Sequence, residues 1–207
     1  MLDDRSATPI GGLVLAAGEA RRFGSPKQLA PLAGRPLLEH ALIAMSAVAR
    51  LRPTVVVVGA HADEVLARVP LYGVRPVRCE GWAEGQAASL RCGVAALAEE
   101  VEAVVVVLGD QPAIDPRAIE RVIESRDGTS AAVRASYGGR PGHPVLLERA
   151  LFAAVAGLRG DEGARTVLAD AIVRVVPCDG LGSDLDVDEP GQLDAARVSG
   201  AGSDRRR

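Results

Sequence analysis

The sequence predicts a three-layer α/β/α fold in which helices cover both faces of a mostly parallel β-sheet. Short aliphatic segments alternate with segments of helical periodicity, which is the pattern of a sheet built from strand–helix units. Hydrophobic residues make up 48% of the chain but aromatic residues only 2%, so valine, leucine and alanine must form the core. Unbroken aliphatic runs are typical of parallel strands, which are buried on both faces.

The apolar pattern also places the individual elements. We expect strands over residues 12–17, 54–59, 74–79, 103–108, 130–135 and 172–177. Helical spacing predicts helices over residues 36–50, 62–69, 85–97, 116–125, 148–156 and 163–170, and a last helix that ends near residue 198. Asp115 and Pro116 form a typical helix start, because aspartate caps a helix and proline is favoured at its first position. Residues 137–144 are rich in glycine and proline, which predicts a turn.

We expect a single domain over residues 11–198, preceded by a flexible leader (1–10) and followed by a disordered basic tail (199–207). The 24 basic and 27 acidic residues give a net charge of −3, which argues against a nucleic-acid partner. No apolar run reaches the length of a membrane span, so we expect no membrane partner. The three cysteines lie far apart in sequence, which argues against a zinc site and favours a reducing, cytoplasmic location.

A glycine-bracketed loop follows the first predicted strand, between Gly18 and Gly24. Glycine lets the backbone adopt positive φ and come close to a ligand, so that several N–H groups can point at one anion. The cations Arg21, Arg22 and Lys27 in this segment favour a polyphosphate ligand. The alternative is an ordinary strand-to-helix turn with solvated charges. The segment has neither the Lys-Ser/Thr pair of a P-loop nor the Gly-x-Gly-x-x-Gly fingerprint of dinucleotide-binding proteins.

Carboxylates follow two extended segments of the predicted fold. Asp110 comes just after the strand at 103–108, and α/β proteins bind ligands at the carboxyl ends of their strands. Asp186 and Asp188 form a second acidic pair at the end of a later extended stretch. Aspartates from two strands beside a cationic loop would form a Mg²⁺–triphosphate site. Alternatively, Asp110 caps a neighbouring helix, Asp186 is solvated and Asp188 caps the last helix.

Two ring-bearing residues, Trp82 and His143, each stand next to a glycine. Trp82 precedes a predicted helix, and from that position its ring can stack on a base or a pterin. The alternative for both residues is structural, with the tryptophan packed against its neighbours and the histidine forming part of the turn. The residues alone leave both interpretations open.

Eight short motifs follow one another along about residues 11–197: Gly18 to Lys27, Gln28-Leu29, Gly34-Arg35-Pro36-Leu37-Leu38, Trp82-x-x-Gly85-x-x-x-Ser89-Leu90, Gly109-Asp110-Gln111-Pro112, Gly142-His143-Pro144, Gly160-Asp161-x-Gly163-Ala164-Arg165 and Asp186-x-Asp188-x-Pro190. Their order is far more specific than any single motif. In this order they resemble the molybdenum cofactor cytidylyltransferases, which carry a MobA-like NTP transferase domain.

The resemblance implies a Rossmann-like fold of the nucleotide-diphospho-sugar transferase type. It also implies a Mg²⁺-dependent transfer of CMP from CTP to the terminal phosphate of molybdopterin, with release of pyrophosphate, and transient contact with a molybdenum hydroxylase. The catalytic residues would be Lys27, Arg22 and Asp110, and the metal ligands Asp110 and Asp188. The nucleotide-binding residues would be Leu15, Ala16, Ala17, Gly18, Arg22, Gly24, Lys27, Gly85, Ser89 and Asp110. The acceptor-binding residues would be Trp82, Gln111, His143, Asp161 and Arg165.

The choice of base and the reaction class rest on finer features of the resemblance. Guanylyl-transferring relatives typically have Leu-Ala-Gly-Gly and an acidic residue before the lysine, so Leu15-Ala16-Ala17-Gly18 and Pro26 favour CTP. Some relatives with these motifs carry an oxidoreductase name, so an NAD(P)H-dependent oxidoreductase is one alternative. A non-catalytic delivery partner for the molybdenum cofactor is another, although Lys27, Asp110 and Asp188 argue against an inactive enzyme.

Overall fold

The computed structural model describes residues 8–20, 23–183, 185–187, 189 and 191–193. Three residues on which the sequence argument depends, Arg21, Arg22 and Asp188, lie outside this set. Most of the expected leader, most of the expected last helix and the whole expected tail also lie outside it.

A seven-stranded sheet forms the centre of the fold. In chain order the strands are β1 (Ile10–Ala16), β2 (Pro31–Leu32), β3 (Arg35–Pro36), β4 (Leu51–Val58), β5 (Arg75–Arg78), β6 (Ala103–Leu108), β7 (Ala132–Tyr137), β8 (Arg140–Glu148) and β9 (Val173–Pro177). The sheet order is β5-β4-β1-β6-β8-β7-β9, while β2 and β3 pair separately. Only β8 runs against its neighbours within the sheet. The expected mostly parallel sheet is therefore confirmed.

Helices cover this sheet on two faces, which confirms the three-layer architecture. They are α1 (Leu37–Ser46), α2 (Ala62–Arg68), α3 (Gln86–Leu97), α4 (Pro116–Glu124), α5 (Phe152–Gly157) and α6 (Ala164–Leu168). One core lies under α1, α2 and α4 and includes Leu42 and Ile119. The other lies under α3, α5 and α6 and includes Leu90 and Val155. Within the described part of the chain, no helix is long and apolar enough to cross a membrane.

The central strands consist of valine because both of their faces are buried. In β4, Val56 belongs to one core and Val57 to the other, and both are fully buried. β-Branched side chains favour extended backbone, and burying each one stabilises the fold by about 1.5–3 kcal/mol. The parallel strands β1, β4 and β6 therefore form a tightly packed centre, and their carboxyl ends meet at one edge of the sheet.

The start of α4 confirms the predicted helix cap. Asp115 Oδ1 accepts a hydrogen bond of 2.8 Å from the backbone N–H of Arg117, and Pro116 is the first helical residue. The hydrogen bonds from the Arg117 side chain and backbone lower the pKa of the Asp115 carboxyl. Local sequence was sufficient for this element, because the cap requires no distant partner.

The turn predicted over residues 137–144 is wrong in its extent. Gly138 and Gly139 alone form it, with φ values of 57° and 76°, and β8 already begins at Arg140. His143 therefore lies in a strand and not in a turn. The register between β7 and β8 shifts opposite residues 142–144, so β8 bulges there. Residues 185–187, expected in an extended stretch, form no regular strand.

Candidate active site

A cavity opens at the carboxyl ends of β1 and β6. Its volume is about 610 Å³, within the range of roughly 300–1,000 Å³ that is usual for small-molecule sites. It is lined by Leu15, Ala16, Ala17, Gly18, Glu19, Ala20, Lys27, Gln28, Trp82, Ala83, Glu84, Gly85, Gln86, Ser89, Leu108, Gly109, Asp110 and Asp161. Residues predicted to bind nucleotide from four separate segments of the sequence therefore meet in one place. We call it the loop cavity.

A lysine–aspartate ion pair stands in the wall of the loop cavity. Lys27 begins a single turn of 3-10 helix, and its Nζ donates to Oδ2 of Asp110, the second residue after β6. Their side chains are 16% and 19% exposed, so both are partly shielded from water. Lys27 is also the only lysine in a chain with 24 basic residues, a signal that the sequence analysis missed. An ammonium concentrates its charge in one small group, unlike the planar guanidinium of arginine.

Gln28 fastens the glycine loop to the end of β1. Its Nε2 donates hydrogen bonds of 2.9 Å to the carbonyl oxygens of both Ala16 and Gly18, and the side chain is 4% exposed. These two bonds hold the strand end and the loop in one arrangement beside Lys27. The sequence analysis did not assign Gln28 to the site, although it directly follows Lys27.

Asp110 has the properties of a ligand for a hard cation. Its Oδ1 is buried and has no hydrogen-bond partner, while Oδ2 accepts from Lys27. The backbone carbonyl of Asp110 accepts from the N–H of Val187 at 3.0 Å, and Gln111 Nε2 donates to Asp186 Oδ1 at 2.5 Å. The 185–187 segment therefore lies against residues 110–111, as the hypothesis of two converging carboxylates requires.

The residues present fit a divalent cation that a nucleotide brings with it. Among the described residues there is no cluster of three or more potential metal-binding side chains. Mg²⁺ commonly needs only one or two carboxylates, because substrate phosphates and water complete its octahedral shell. Asp110 can supply one such oxygen. Asp188, the other expected ligand, lies outside the described residues.

Trp82, Gly85 and Ser89 form another part of the wall, around the start of α3. Gly85 has a φ of 115°, and a Cβ at this position would lie 2.4 Å from the carbonyl oxygen of Gly160. The N–H of Ala87 donates to the same oxygen at 3.0 Å. This close backbone contact fastens the Gly160 turn, with Asp161, to the cavity wall. Trp82 also packs against Gly59, so its ring has a structural contact as well as a face on the cavity.

A smaller cavity of about 270 Å³ adjoins the loop cavity and shares Leu15, Gln86, Leu108 and Asp161 with it. Its lining also includes Val106, Arg134, His143, Val145, Gly163, Ala164, Arg165, Thr166 and Leu168. Three of the residues predicted to bind the acceptor, His143, Asp161 and Arg165, thus meet here. We call it the arginine cavity, because Arg134 and Arg165 both line it.

Burial and neighbouring charges determine the protonation states of the side chains that line the arginine cavity. His143 is half-buried in β8, and burial together with the charge of Arg134 lowers its pKa to about 4. The imidazole is therefore neutral near pH 7. Burial also lowers the pKa of Arg134, to which the charge of Arg165 adds. A guanidinium nevertheless remains protonated at neutral pH, so the cavity holds two positive charges beside a neutral ring.

Two further predicted residues lie apart from both cavities. Gly24 occupies a turn with a φ of 74°, and neither cavity includes it in its lining. Gln111 is 2% exposed and holds Asp186 instead of lining a cavity. Gln86, Gln28 and Arg134 line the cavities without having been predicted. Their side chains reach the site only through the tertiary fold.

Comparison with known proteins identifies the family of this chain. The family model of the MobA-like NTP transferase domain matches residues 12–175, which include most of β1, the glycine loop, Asp110 and the residues of the arginine cavity. The chain belongs to this family. The family is one of nucleotidyltransferases, and the fold is the Rossmann-like fold of the nucleotide-diphospho-sugar transferase type.

The relatives carry more than one activity in their names. The chain is 34% identical over 202 residues to the nicotine blue oxidoreductase of Paenarthrobacter nicotinovorans, covering 93% of this chain and 98% of that protein. It is 37% identical over 139 residues to the 2-C-methyl-D-erythritol 4-phosphate cytidylyltransferase of Cereibacter sphaeroides, covering 64% and 57%. Proteins with different named reactions are therefore similar in sequence to this chain.

Solved structures of other proteins have the same fold as this chain over almost its whole length. Rv0371c of Mycobacterium tuberculosis H37Rv has a TM-score of 0.84 and 32% identity, and the match covers 93% of this chain and 99% of that one. A second structure of Rv0371c is a complex with manganese, with a TM-score of 0.78, 28% identity and coverage of 93% and 100%. A relative with the same fold thus binds a divalent cation.

Proposed function

We propose that this protein transfers CMP from CTP to the terminal phosphate of molybdopterin, in a reaction that depends on Mg²⁺ and releases pyrophosphate. The observation that carries the proposal is the Lys27–Asp110 pair, which stands beside a glycine loop in the cavity where β1 and β6 end. A buried oxygen of Asp110 without a hydrogen-bond partner accompanies the pair. This is the charge arrangement that a metal–triphosphate substrate requires.

The loop cavity would bind the nucleotide. Residues 15–18 present their backbone at the end of β1, close to where a base and ribose would lie. Lys27 and Arg22 would neutralise the triphosphate, and Arg22 belongs to this proposal from its sequence position alone. Gly85, directly before α3, and Ser89, within α3, line the same cavity. The site thus offers both backbone groups and positive charge to one ligand.

The chemistry needs positioning and charge neutralisation more than a covalent nucleophile. An oxygen of the acceptor phosphate attacks the α-phosphorus of CTP, the bond to the β-phosphate oxygen breaks, and pyrophosphate leaves. Because the attacking oxygen is already anionic, no general base is required. Lys27 would stabilise the additional charge on the α-phosphate in the transition state. A cation at Asp110 would supply further neutralisation of the phosphates.

The preference for CTP rests on the end of β1. Ala17 is 3% exposed and lines the loop cavity, whereas guanylyl-transferring relatives typically have glycine at this place. The Cereibacter sphaeroides relative is also named as a cytidylyltransferase. A methyl group near the base plane would favour the smaller pyrimidine, and one methyl contributes about 1–3 kcal/mol of discrimination.

A second candidate function follows from the relative named nicotine blue oxidoreductase, which aligns with 98% of its length. Under this alternative the loop cavity would hold NAD(P)H instead of CTP. The chain lacks the Gly-x-Gly-x-x-Gly fingerprint of dinucleotide-binding proteins. Hydride transfer from NAD(P)H also does not require a carboxylate such as Asp110 that can bind a metal ion. We therefore rank it behind nucleotidyl transfer.

Binding and turnover assays with the purified chain decide between these functions. CTP, GTP, ATP, UTP and NADPH are titrated with Mg²⁺ while the fluorescence of Trp82, the only tryptophan, reports on the loop cavity. We expect CTP to bind best, and we expect pyrophosphate release when molybdopterin is added. Tight NADPH binding without CTP binding would favour the oxidoreductase. CTP binding without pyrophosphate release would favour a delivery protein that passes the cofactor to a molybdenum hydroxylase.

A further inference from the structure

Arg134 occupies an unusual position for a charged residue. It lies in β7, between β8 and β9, and not in an edge strand of the sheet. Its neighbours Val133 and Ala135 point into one core, so Arg134 points to the opposite face, on the side of Ala132 and the α3–α5–α6 core. The core on that face consists of hydrophobic residues such as Val145 and Leu147, and burial lowers the pKa of Arg134. Burial of an aliphatic residue at this position would carry a smaller desolvation free energy.

The bulge in β8 determines where the guanidinium points. Arg134 pairs with Val145, and the register then shifts at residues 142–144. Arg134 Nε donates to the carbonyl oxygen of Gly142 at 3.2 Å, an acceptor that lies within the bulge. Nη2 makes a longer contact of 3.5 Å with the carbonyl oxygen of Pro141. These contacts position the guanidinium at the arginine cavity and leave donor capacity for a ligand.

The charges around Arg134 are not balanced by the protein. Within the described residues, neither Arg134 nor Arg165 forms an ion pair with a carboxylate. Other arginines behave differently, since Arg126 pairs with Glu148 at 2.7 Å and Arg174 pairs with Asp127 at 3.3 Å. Arg165 acts on Arg134 by repulsion. Two unpaired guanidiniums facing one cavity repel each other less once an anion lies between them.

We propose that Arg134, together with Arg165, binds the phosphomonoester dianion of the acceptor in the arginine cavity, and that Arg134 makes this phosphate a requirement for binding. The proposal rests on the proposed function in that the bound phosphate is the group that attacks CTP. A guanidinium matches a phosphate with two parallel hydrogen bonds, which a neutral acceptor cannot accept equally well. Leu15, Gln86, Leu108 and Asp161 line both cavities, so the bound phosphate lies next to the nucleotide site.

The remaining polar groups of the cavity are compatible with this ligand. His143 is neutral near pH 7 and neither repels nor neutralises the phosphate. Asp161 is the one carboxylate in the described lining, and it is solvent-exposed, so its repulsion is weakened by water. Thr166 adds a hydroxyl group to the lining. The cavity is therefore positive overall and selective for anions.

The test titrates phenyl phosphate into the full chain while α,β-methylene-CTP and Mg²⁺ saturate the loop cavity. Phenyl sulfate, a monoanion of similar shape, is the comparison ligand. The variants are Arg134→Met, which keeps an apolar stem in place of the guanidinium, and Arg134→Lys, which keeps the charge but loses the planar fork. Arg174→Met on the neighbouring strand β9 is the matched control. Calorimetry measures affinity for the phosphate ester, and Trp82 fluorescence measures affinity for the nucleotide analogue.

We expect wild type to bind phenyl phosphate more tightly than phenyl sulfate. Arg134→Met should weaken phenyl phosphate binding ~10-fold or more, Arg134→Lys should weaken it less, and Arg174→Met should leave it unchanged. All variants should bind the nucleotide analogue within about twofold of wild type, since Arg134 does not line the loop cavity. With molybdopterin and CTP, Arg134→Met should raise KM for the acceptor while KM for CTP stays the same.

Failure of this inference and failure of the proposed function give different results. If CTP binds and is turned over but phenyl phosphate affinity is the same in Arg134→Met, the inference is wrong and the function stands. If CTP does not bind, the proposed function is wrong, and the same titration is run without nucleotide. Loss of phosphate binding in Arg134→Met but not in Arg174→Met would then still support an anion site at Arg134. Equal loss in both variants would overturn it.

Discussion

The two cavities share four lining residues and one edge of the sheet, but they differ in whether their charged side chains form ion pairs. In the loop cavity the cation and the anion are paired, since Lys27 contacts Asp110. In the arginine cavity the cations have no carboxylate partner within the described residues, and the neighbouring histidine is neutral. A paired site suits a ligand that brings its own metal ion, and an unpaired cationic site suits a bare anion.

The difference arises from the strands that build each cavity. Parallel β1 and β6 end at the loop cavity, where chain continues into loops that supply backbone groups and the Lys27–Asp110 pair. The arginine cavity lies where antiparallel β8 joins the sheet, and its bulge at residues 142–144 gives Arg134 an acceptor inside the sheet. Reversal of one strand thus separates a nucleotide-type site from an anion site. The following predictions test this division of roles.

The largest effect is expected at Asp110. Asp110→Asn keeps the shape of the side chain but removes the charge that both Lys27 and a hard cation need. Turnover with CTP and Mg²⁺ should fall by at least ~10²-fold, with weaker Mg²⁺-dependent nucleotide binding. Asp63→Asn is the control, because Asp63 forms an exposed ion pair with Arg78 and neither residue lines a cavity described above. Unchanged activity with full metal dependence would mean that Asp110 is only structural.

Lys27 tests whether the pair acts on the transition state or only on binding. Lys27→Ala should lower kcat by ~10–10²-fold and raise KM for the nucleotide less, because its charge is needed most when the α-phosphate gains a fifth ligand. Lys27→Arg should recover part of the loss, since the charge returns in a different geometry. Steady-state kinetics separate the two constants. A rise in KM alone would assign Lys27 to nucleotide binding.

Gly85 tests the close backbone contact between the start of α3 and the Gly160 turn. Gly85→Ala places a methyl group 2.4 Å from the Gly160 carbonyl oxygen on a backbone with a φ of 115°. Strain and displacement of the Gly160 turn should lower the free energy of unfolding by about 2–4 kcal/mol. Gly157→Ala is a matched control, because no atom lies within 4 Å of the added methyl group. Urea denaturation measures the free energy of unfolding of both variants. Equal values would show that the Gly160 turn can move away from the added methyl group without loss of stability.

His143 predicts a loss of stability in acid that comes from the arginine cavity. Its folded-state pKa of about 4 lies below the value of about 6.5 for an unfolded histidine. The unfolded chain therefore takes up the proton first, so stability is unaffected above about pH 6.5 and decreases as the pH falls towards 4. Wild type should lose about 2–3 kcal/mol more than His143→Gln over this interval.

Arg134→Met sharpens the prediction for His143. Because this variant removes a charge that lowers the pKa of His143, its loss of stability in acid should be smaller than that of wild type. The free energy of unfolding, measured at a series of pH values, checks both statements. Parallel curves for wild type and His143→Gln would contradict the assignment of a depressed pKa.

The smallest effect is expected from base selection at Ala17. Ala17→Gly removes one methyl group from the loop cavity, so the ratio of kcat/KM for CTP over GTP should fall by less than ~10-fold without inverting. Ala83→Gly removes a methyl group elsewhere in the same lining and should leave the ratio unchanged. A wild type that prefers GTP, or an Ala17→Gly ratio equal to that of wild type, would show that this loop does not select the base.

Much of this protein could be read from its sequence, because the relevant signals are local. The aliphatic runs of β1, β4 and β6 predict buried parallel strands, since burial on both faces requires apolar residues at every position. Asp115 and Pro116 predict the start of α4, since a helix cap depends only on adjacent residues. The glycine loop and Asp110 lie directly after strands, so the topology places them at one edge without further information.

Only the tertiary structure decided which distant residues meet. The pairing of Lys27 with Asp110, the bonds from Gln28 to the loop, and the approach of residues 185–187 to Gln111 each join segments far apart in the chain. The turn predicted over residues 137–144 was too long, because pairing with β7 outweighs the local turn preference of residues 140–144. Arg134 carried no local signal, since a single arginine in a strand is ordinary until its neighbours are known. Long-range packing and strand register, which no short segment encodes, place it at the cavity.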